Sequence, residues 1–199
     1  MQKSRRSTRS PKSAACRSST WRHCQRTRCR VSYLAMPGLT WDEVCADRSL
    51  ADLPYKIETN RYGQIVMSPT KHWHSQQQSD IHLRLSRLTK SGYLLLEAAI
   101  ETPEGVKVAD VAWGSAAFQK AHAKDDTLTA APDLCVEILS PSNSKAEMQE
   151  KLTLYFAYGA KEVWLCDVKG KMTFHNSPSA TVATSVLFPK FPAKVIGKP

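Results

Sequence analysis

Three apolar runs occupy the middle of the chain. They are YLLLEAAI at 93–100, VKVADVAW at 106–113 and DLCVEILS at 133–140. Short runs of this kind, rich in Val, Ile and Leu and bounded by turn residues, are typical of buried β-strands. The sequence TPEG at 102–105 predicts a turn that joins the first two strands in a hairpin. A fourth run, EVWLCDV at 162–168, predicts another buried strand.

Two longer segments carry the periodicity of amphipathic helices. From His72 onward, apolar residues recur at helical spacing until Gly92 provides a C-terminal stop. The segment SKAEMQEKLTLYFAYG begins with Ser144 and Glu147 in the spacing of a capping box and ends at Gly159. The first helix is therefore predicted before the three central strands, and the second between the third and fourth.

Three smaller elements flank this unit. Thr40 can cap a short helix with an acidic first turn, which Pro54 ends. The segment YKIETNRYGQIVMSP alternates around Gly63 and predicts a β-hairpin, and KMTFHNS with TSVLFPKFP predicts a terminal hairpin. The whole order predicts an α/β (α+β) fold, with a mixed central sheet flanked by helices and an N-terminal β-hairpin.

The charge is distributed unevenly along the 199 residues. The formal net charge is +10, but residues 1–35 contain ten of the 28 Lys and Arg and none of the 18 Asp and Glu. The remainder is formally neutral. The basic balance therefore belongs to residues 1–35, and a nucleic-acid surface on residues 36–199 has to come from local arrangement of charge.

Residues 1–35 are rich in Ser and Arg, lack periodicity and are predicted to be a disordered leader. Four interpretations stay open: a transit peptide, a nucleic-acid-binding arm, part of a metal site at His23, Cys24 and Cys29, or a non-native extension from an upstream start codon. Met36 opens the first capped, helix-forming segment. We therefore expect one domain over residues 36–199.

The cysteines and the hydropathy pattern indicate the compartment. Cys45, Cys135 and Cys166 are scattered without C-x-x-C spacing, and two of them lie inside apolar runs, which favours buried thiols in a reducing environment. No apolar stretch reaches about 18 residues, so no membrane segment is predicted. The expected location is the cytoplasm.

Two predicted strands carry an acid at mid-strand, Asp110 and Glu137. Period-two alternation places each on a packed face. Two carboxylates brought together repel, and a divalent cation satisfies both; their oxygen ligands suit Mg²⁺ or Mn²⁺. The alternative is that each acid pairs with Lys or Arg as a structural ion pair.

Lys151 flanks the apolar stripe of the second helix, so it can reach over the strand ends and orient a water or stabilise charge on a phosphate. A solvated lysine with its stem packed on the core is the alternative. The spacing of His72, His74 and His82 is not one known for metal ligands, and these residues are expected at the helix start and on the surface. The sequence has no Gly-rich phosphate loop and no Ser nucleophile elbow.

Several motifs together resemble the Uma-two family of restriction endonucleases. They are APDLCVEILSPSNSKAEMQEKLTLYFAYGAKEVWLCDV, KVADVAW and IETNRYGQIVMSPTKHWHS, and the resemblance runs from about Leu39 to LFPKFP. It implies the PD-(D/E)xK nuclease fold and metal-dependent hydrolysis of phosphodiester bonds in DNA. It also implies that Asp110 and Glu137 bind the metal and that Glu58 is an auxiliary ligand.

The resemblance further implies that Lys151 replaces the lysine that the wider superfamily carries two residues after its second acid, where this chain has Leu139. The sequence thus predicts a Mg²⁺- or Mn²⁺-dependent DNA endonuclease, for which a homodimer would suit paired cleavage of a duplex. Two alternatives stay open: a nucleic-acid-binding or accessory module of the same fold without turnover, and a structural protein with ion-paired strand acids.

Overall fold

A computed structural model of the protein describes residues 38–197. The predicted leader, residues 1–35, lies outside these residues, so the boundary at residue 36 stays a prediction. The helices are α1 (Trp41–Ala46), α2 (His72–Leu88), α3 (Ala116–Ala121) and α4 (Lys145–Ala157). The strands are β1 (Tyr55–Thr59), β2 (Ile65–Pro69), β3 (Tyr93–Thr102), β4 (Gly105–Gly114), β5 (Leu134–Ile138), β6 (Glu162–Cys166), β7 (Met172–Ser177) and β8 (Ala180–Val182).

The central sheet has six strands in the order β3-β4-β5-β6-β7-β8. Strands β5 and β6 are parallel and are joined through α4, whereas every other neighbouring pair is antiparallel. This is the predicted mixed sheet. The predicted order of one helix, three strands, a second helix and a strand is confirmed, with α3 added between β4 and β5.

The sheet buries a cluster of apolar side chains with each of the two long helices. One cluster joins Ile81 and Leu85 of α2 to Val136 and Trp164 of the sheet. The other contains Leu152 and Tyr155 of α4 together with sheet residues such as Val163. Since the apolar stripes of α2 and α4 are both covered, the two helices are held firmly relative to the strands between them.

The predicted N-terminal hairpin forms a separate two-stranded sheet, β1-β2, that packs against β4. Thr59 Oγ1 accepts a hydrogen bond of 2.8 Å from the Val106 amide. Gly105 allows this close approach, because a Cβ atom on it would lie 2.4 Å from the carbonyl oxygen of Thr59, and its φ is +92°. The contact brings β1 alongside the first half of β4.

Helix α1 is shorter than predicted, because it ends at Ala46 rather than near Pro54. Asp47 Oδ1 accepts hydrogen bonds from the backbone amide and the hydroxyl of Ser49, at 2.8 and 2.7 Å. Such a local turn competes with the next helical turn, and the sequence pattern of acidic and apolar residues does not reveal it.

The predicted terminal hairpin is wrong in its second strand. Strand β7 turns at Ser177 and pairs with β8, whereas TSVLFPKFP at 184–192 forms no strand. Its two prolines cannot donate ladder hydrogen bonds. Phe188 and Phe191 from this segment pack instead into the α2-side cluster, beside Trp164.

Within residues 38–197, no helix has the length and apolar character needed to cross a membrane. Cys135 and Cys166 are buried free thiols, as predicted from their apolar runs, and Cys45 is an exposed free thiol.

Candidate active site

Asp110 lies at the point where strands β4 and β5 separate. Their backbone pairing extends from Trp113 and Leu134 to Val111 and Val136 and stops there. Beyond it, the amide of Ile138 donates to Asp110 Oδ2 at 2.6 Å. The carboxylate thus takes the place of a backbone carbonyl and is 1% exposed. This separation of the strands opens a small cavity beside the sheet.

Glu137, one residue before Ile138 on β5, points into the same cavity and is 3% exposed. The hydroxyl of Tyr155, on α4, donates to Glu137 Oε1 at 2.5 Å. Lys151 Nζ, one helical turn earlier, lies 3.3 and 3.2 Å from the two carboxylate oxygens of Glu137. The predicted alignment of Lys151 with the apolar stripe of its helix therefore brings it over the strand end.

Glu58 reaches the site from β1. Its Oε1 atom accepts a 2.9 Å hydrogen bond from the Val108 amide of β4 and lies 2.7 Å from Lys151 Nζ. The structure therefore brings all four predicted residues together: Asp110, Glu137, Lys151 and Glu58. They come from three strands and a helix, so their meeting depends on the docking of the hairpin and of α4.

Lys56 is the main site residue that the sequence analysis missed. Its Nζ atom lies 2.7 Å from Asp110 Oδ1, 3.3 Å from Glu137 Oε2 and 3.9 Å from Glu58 Oε1. A signal was available, because Lys56 and Glu58 are two residues apart on one strand and so share a face. Both strand acids are therefore ion-paired with lysines, as the structural alternative expected.

His74 lies in the first turn of α2, at the helix start that the sequence predicts, and His72 is exposed, as expected. The His74 side chain is 12% exposed, however, and its Nε2 atom lies 3.4 Å from Asp110 Oδ2. Its Nδ1 atom is buried without a hydrogen-bond partner among the described residues. The helical spacing of α2 places His74 on the turn that faces Asp110, a position that the spacing of the histidines along the sequence does not reveal.

The pairing of β3 and β4 is interrupted where Glu97 lies opposite Asp110. The register omits both residues, and the φ of Glu97 is +52°, a conformation uncommon for a residue other than glycine. Gln78, on α2, donates to the Asp110 carbonyl oxygen at 2.8 Å and to Glu97 Oε1 at 2.6 Å. The Asp110 carbonyl therefore has a hydrogen-bond donor from α2 at the point where the β3-β4 pairing is interrupted.

The two strand acids have opposite electrostatic environments. Burial acts to raise the pKa of Asp110, but Lys56 and His74 outweigh it and hold this pKa below its usual value. Burial raises the pKa of Glu137, and the nearby charges of Lys151 and Lys56 only partly offset that effect. Asp110 therefore stays ionised, while Glu137 takes up a proton more readily. Acids whose pKa values are pushed apart in this way are characteristic of catalytic sites.

The two lysines remain charged despite their burial. Burial acts to lower the pKa of Lys56, but Asp110, Glu137 and Glu58 outweigh it and hold this pKa well above its usual value. Lys151 has a raised pKa as well, because the attraction of Glu137 and Glu58 exceeds the effects of burial and of Lys56. The site is therefore a network of fully charged cations facing carboxylates.

The donor chemistry of this network suits a hard cation. Its acidic groups all offer carboxylate oxygens, which are the atoms that hard cations prefer as ligands. The carboxylates of Asp110 and Glu137 both contact the ammonium group of Lys56. The side chains are not drawn together as a coordination shell: among residues 38–197 no group of three His, Cys, Asp or Glu side chains is arranged to hold a metal ion. The residues fit a divalent ion in type, and Lys56 lies between them.

The cavity is small, about 40 Å³. It has room for an ion or a few water molecules. Ser68 of β2 and Asn143, in the loop before α4, also line it, beside the charged residues.

Comparison with known proteins identifies a family and a shared fold. Residues 48–186 match the family model Uma2, described as a putative restriction endonuclease. A crystal structure of a putative nuclease of the DUF820 group from Anabaena variabilis shares the fold, with a TM-score of 0.57 and 19% sequence identity. The match covers 72% of this chain and 83% of that one. No curated protein matches the sequence.

The family match spans the hairpin, the central strands and α4, so it includes every element that contributes to the site. The chain therefore belongs to the Uma2 family of putative restriction endonucleases.

Proposed function

We propose that the protein is a divalent-metal-dependent endonuclease that hydrolyses phosphodiester bonds in DNA. The observation that carries this proposal is the convergence of three carboxylates and two lysines from separate elements in one small cavity. Stability alone does not call for such a cluster, because well-packed apolar residues of similar volume are often neutral or stabilising in place of buried ion pairs. The family to which the chain belongs supports the same reaction class.

Asp110 and Glu137 are the residues that would hold Mg²⁺ or Mn²⁺, with Glu58 in support. A bound ion of this kind polarises a phosphoryl oxygen and lowers the pKa of a bound water. The composition of the ion-pair network supports a further cation, since its three carboxyl groups outnumber its two ammonium groups. A phosphate brought to this cavity would meet net repulsion unless positive charge were added.

Lys151 is the residue that we assign to the attacking water or to the developing phosphate charge. Its ammonium group is fixed by Glu58 at 2.7 Å and by Glu137 at 3.2 Å. Its backbone is fixed by a capped helix whose capping box is complete. A positioned charge of this type stabilises a transition state without reorganising during the reaction.

A second function stays in competition, a nucleic-acid-binding or accessory module without turnover. The ion pairs of the site favour this second function, because Lys56 and Lys151 already compensate most of the negative charge of the acids. The formally neutral composition of residues 36–199 also favours it slightly, since phosphate binding usually depends on an excess of Lys and Arg. A homodimer and a cytoplasmic location accompany the nuclease proposal as expectations.

Cleavage of supercoiled plasmid by the full chain tests the proposal. We expect nicking with Mg²⁺ or Mn²⁺, none with chelator, and loss of nicking in Asp110→Asn and Lys151→Met. The matched control is Glu150→Gln, which removes a charge one residue from Lys151; the Glu150 side chain is 53% exposed and lies 3.9 Å from Lys107 instead. Equal cleavage by wild type and a folded Asp110→Asn protein contradicts the site. Failure of the wild type to cut with any metal favours the binding module.

A further inference from the structure

Lys56 lies in the position between the two strand carboxylates that a shared cation would take. Its ammonium nitrogen is 2.7 Å from Asp110 Oδ1 and 3.3 Å from Glu137 Oε2. The side chain is 10% exposed and comes from β1, so it enters the cavity from the hairpin. Its role is therefore separate from that of Lys151, which contacts Glu137 and Glu58.

A divalent ion and this ammonium group compete for the same oxygens. Magnesium binds oxygen ligands at about 2.0–2.1 Å, and Lys56 Nζ already lies within 3.3 Å of one oxygen of each carboxylate, so an ion shared by these two oxygens would overlap the space that Nζ fills. Two cations at such a short separation repel strongly in a poorly solvated cavity. Binding of the ion therefore requires the lysine to leave.

The structure offers the side chain a place to move. Lys56 also lines a second cavity of about 560 Å³, on the side of α1 and β3, whose walls include Gln78 and Glu97. Within residues 38–197, the Glu97 carboxylate accepts a hydrogen bond from the Gln78 amide and from no other group. A lysine that rotates out of the first cavity can thus reach another carboxylate in a larger space.

We propose that Lys56 is a built-in counter-ion of the active site, which holds Asp110 and Glu137 together and must be displaced into the adjoining cavity before a divalent metal binds. This inference rests on the proposed metal-dependent function. Lys56 therefore weakens the affinity for metal and couples metal binding to a movement of its own side chain. It is a positioning residue in this account.

Binding of Mn²⁺, measured by calorimetry on the full chain without DNA, tests the competition. We expect Lys56→Met to bind Mn²⁺ more tightly than wild type by roughly 5–150-fold, the usual range for coupling between two binding events. Lys107→Met is the matched control, because Lys107 is a lysine of similar exposure, 11%, whose Nζ atom lies 3.9 Å from Glu150 and near no strand acid of the site. We expect its affinity to equal that of wild type.

The possible outcomes separate this proposal from the function on which it rests. Equal affinity of the wild type, Lys56→Met and Lys107→Met overturns the role of Lys56 and leaves a metal-dependent nuclease standing. Absence of Mn²⁺ binding in all three at millimolar concentration overturns both. Tighter binding in Lys56→Met alone supports both.

A measurement on the wild-type protein covers the case in which Lys56→Met does not fold. The buried ammonium groups of Lys56 and Lys107 are expected to give protected ¹H–¹⁵N signals in NMR spectra, assigned with Lys56→Arg and Lys107→Met. Titration with Mg²⁺ is expected to shift or broaden the Lys56 signal and to leave the Lys107 signal in place. A Lys56 signal that stays unchanged while Mg²⁺ raises the melting temperature overturns the displacement.

Discussion

Lys151 Nζ lies 2.7 Å from Glu58 Oε1, although the two residues are 93 positions apart in the sequence. This ion pair connects the buried face of α4 with the inner face of the β1-β2 hairpin. Because Glu58 also accepts from the Val108 amide of β4, the same carboxylate joins the hairpin to the central sheet. The chemistry of the site and the docking of the hairpin therefore depend on shared contacts.

Substitution of Lys151 by Met is expected to destabilise the fold as well as to remove activity. It leaves Glu58 and Glu137 buried without one of their cations, and breaking a buried pair in this way costs about 3–5 kcal/mol. Urea unfolding measures the loss. The control is Arg61→Met, because the side chains of the Arg61–Glu104 ion pair are 60% and 35% exposed and such a pair contributes about 1 kcal/mol or less. Equal losses in the two variants contradict the buried pairing of Lys151.

Tyr155 is expected to act through Glu137. Tyr155→Phe removes the hydroxyl that donates to Glu137 Oε1 at 2.5 Å and leaves a buried acceptor short of a partner. The free energy of unfolding should fall by about 1–3 kcal/mol. Tyr62→Phe removes the same group from a residue that is 66% exposed and should leave stability unchanged within about 0.5 kcal/mol. A Tyr155→Phe protein as stable as wild type means that this hydrogen bond contributes nothing.

His74 is expected to keep the Asp110 carboxylate ionised and in position. Its Nε2 atom lies 3.4 Å from Asp110 Oδ2, and partners of this kind around metal-binding carboxylates are typically worth about 10–100-fold in activity or metal affinity. We therefore expect His74→Ala to slow metal-dependent plasmid nicking by that factor. His72→Ala, two residues earlier and exposed, should nick at the wild-type rate. Indistinguishable rates for the two variants would show that His74 has only a packing role.

A pH-dependent contribution is expected from Asp133, outside the site. Burial acts to raise the pKa of Asp133, but hydrogen bonds from Lys161 and from the Ser115 amide outweigh it and lower this pKa. A carboxylate with a lowered folded pKa stabilises the protein above its unfolded pKa of about 3.9 and loses that contribution as the pH falls through the folded value.

Asp133→Asn should accordingly cost about 1–3 kcal/mol in the free energy of unfolding at pH 7. The difference from wild type should shrink as the pH falls below about 4. Urea unfolding at pH 7 and at low pH measures both values. A difference that stays constant over this pH range would rule out the charge of Asp133 as its cause.

Much of the fold could be predicted because local patterns and tertiary packing agree. The capping box at Ser144 and Glu147 and the apolar runs of the central strands identify their elements without knowledge of the neighbours. The terminal segment was predicted wrongly, since nothing local distinguishes a strand from an irregular segment that packs aromatic side chains. That segment is held by a residue distant in the sequence, because Glu162 Oε1 accepts hydrogen bonds from the amides of Val186 and Leu187.

The site was predictable to the extent that burial of an acid is visible in a strand pattern. Asp110 and Glu137 interrupt apolar runs, whereas Glu58 was found only through the family resemblance. Lys56 was missed because its partners lie 54 and 81 residues away. Alternation shows that it shares a face with Glu58, but no sequence pattern shows that this face meets the site.

Glu137 and Glu162 provide the most direct test of the central claim. Both are buried glutamates on neighbouring strands, 3% and 1% exposed. Glu137 lines the cavity. Glu162 lies elsewhere, and its Oε2 atom accepts hydrogen bonds from Trp164 Nε1 at 2.8 Å and from Ser185 Oγ at 2.6 Å. Each can be changed to Gln with the same loss of charge, so the pair separates chemistry from the general cost of altering a buried acid.

The measurement is the rate of plasmid nicking with saturating Mg²⁺, expressed per folded molecule, for wild type, Glu137→Gln and Glu162→Gln. We predict that Glu137→Gln loses nicking and that Glu162→Gln retains the wild-type rate, even where its stability is reduced. Wild-type nicking by Glu137→Gln, or equal loss in both variants, would contradict the assignment of this cavity as the active site.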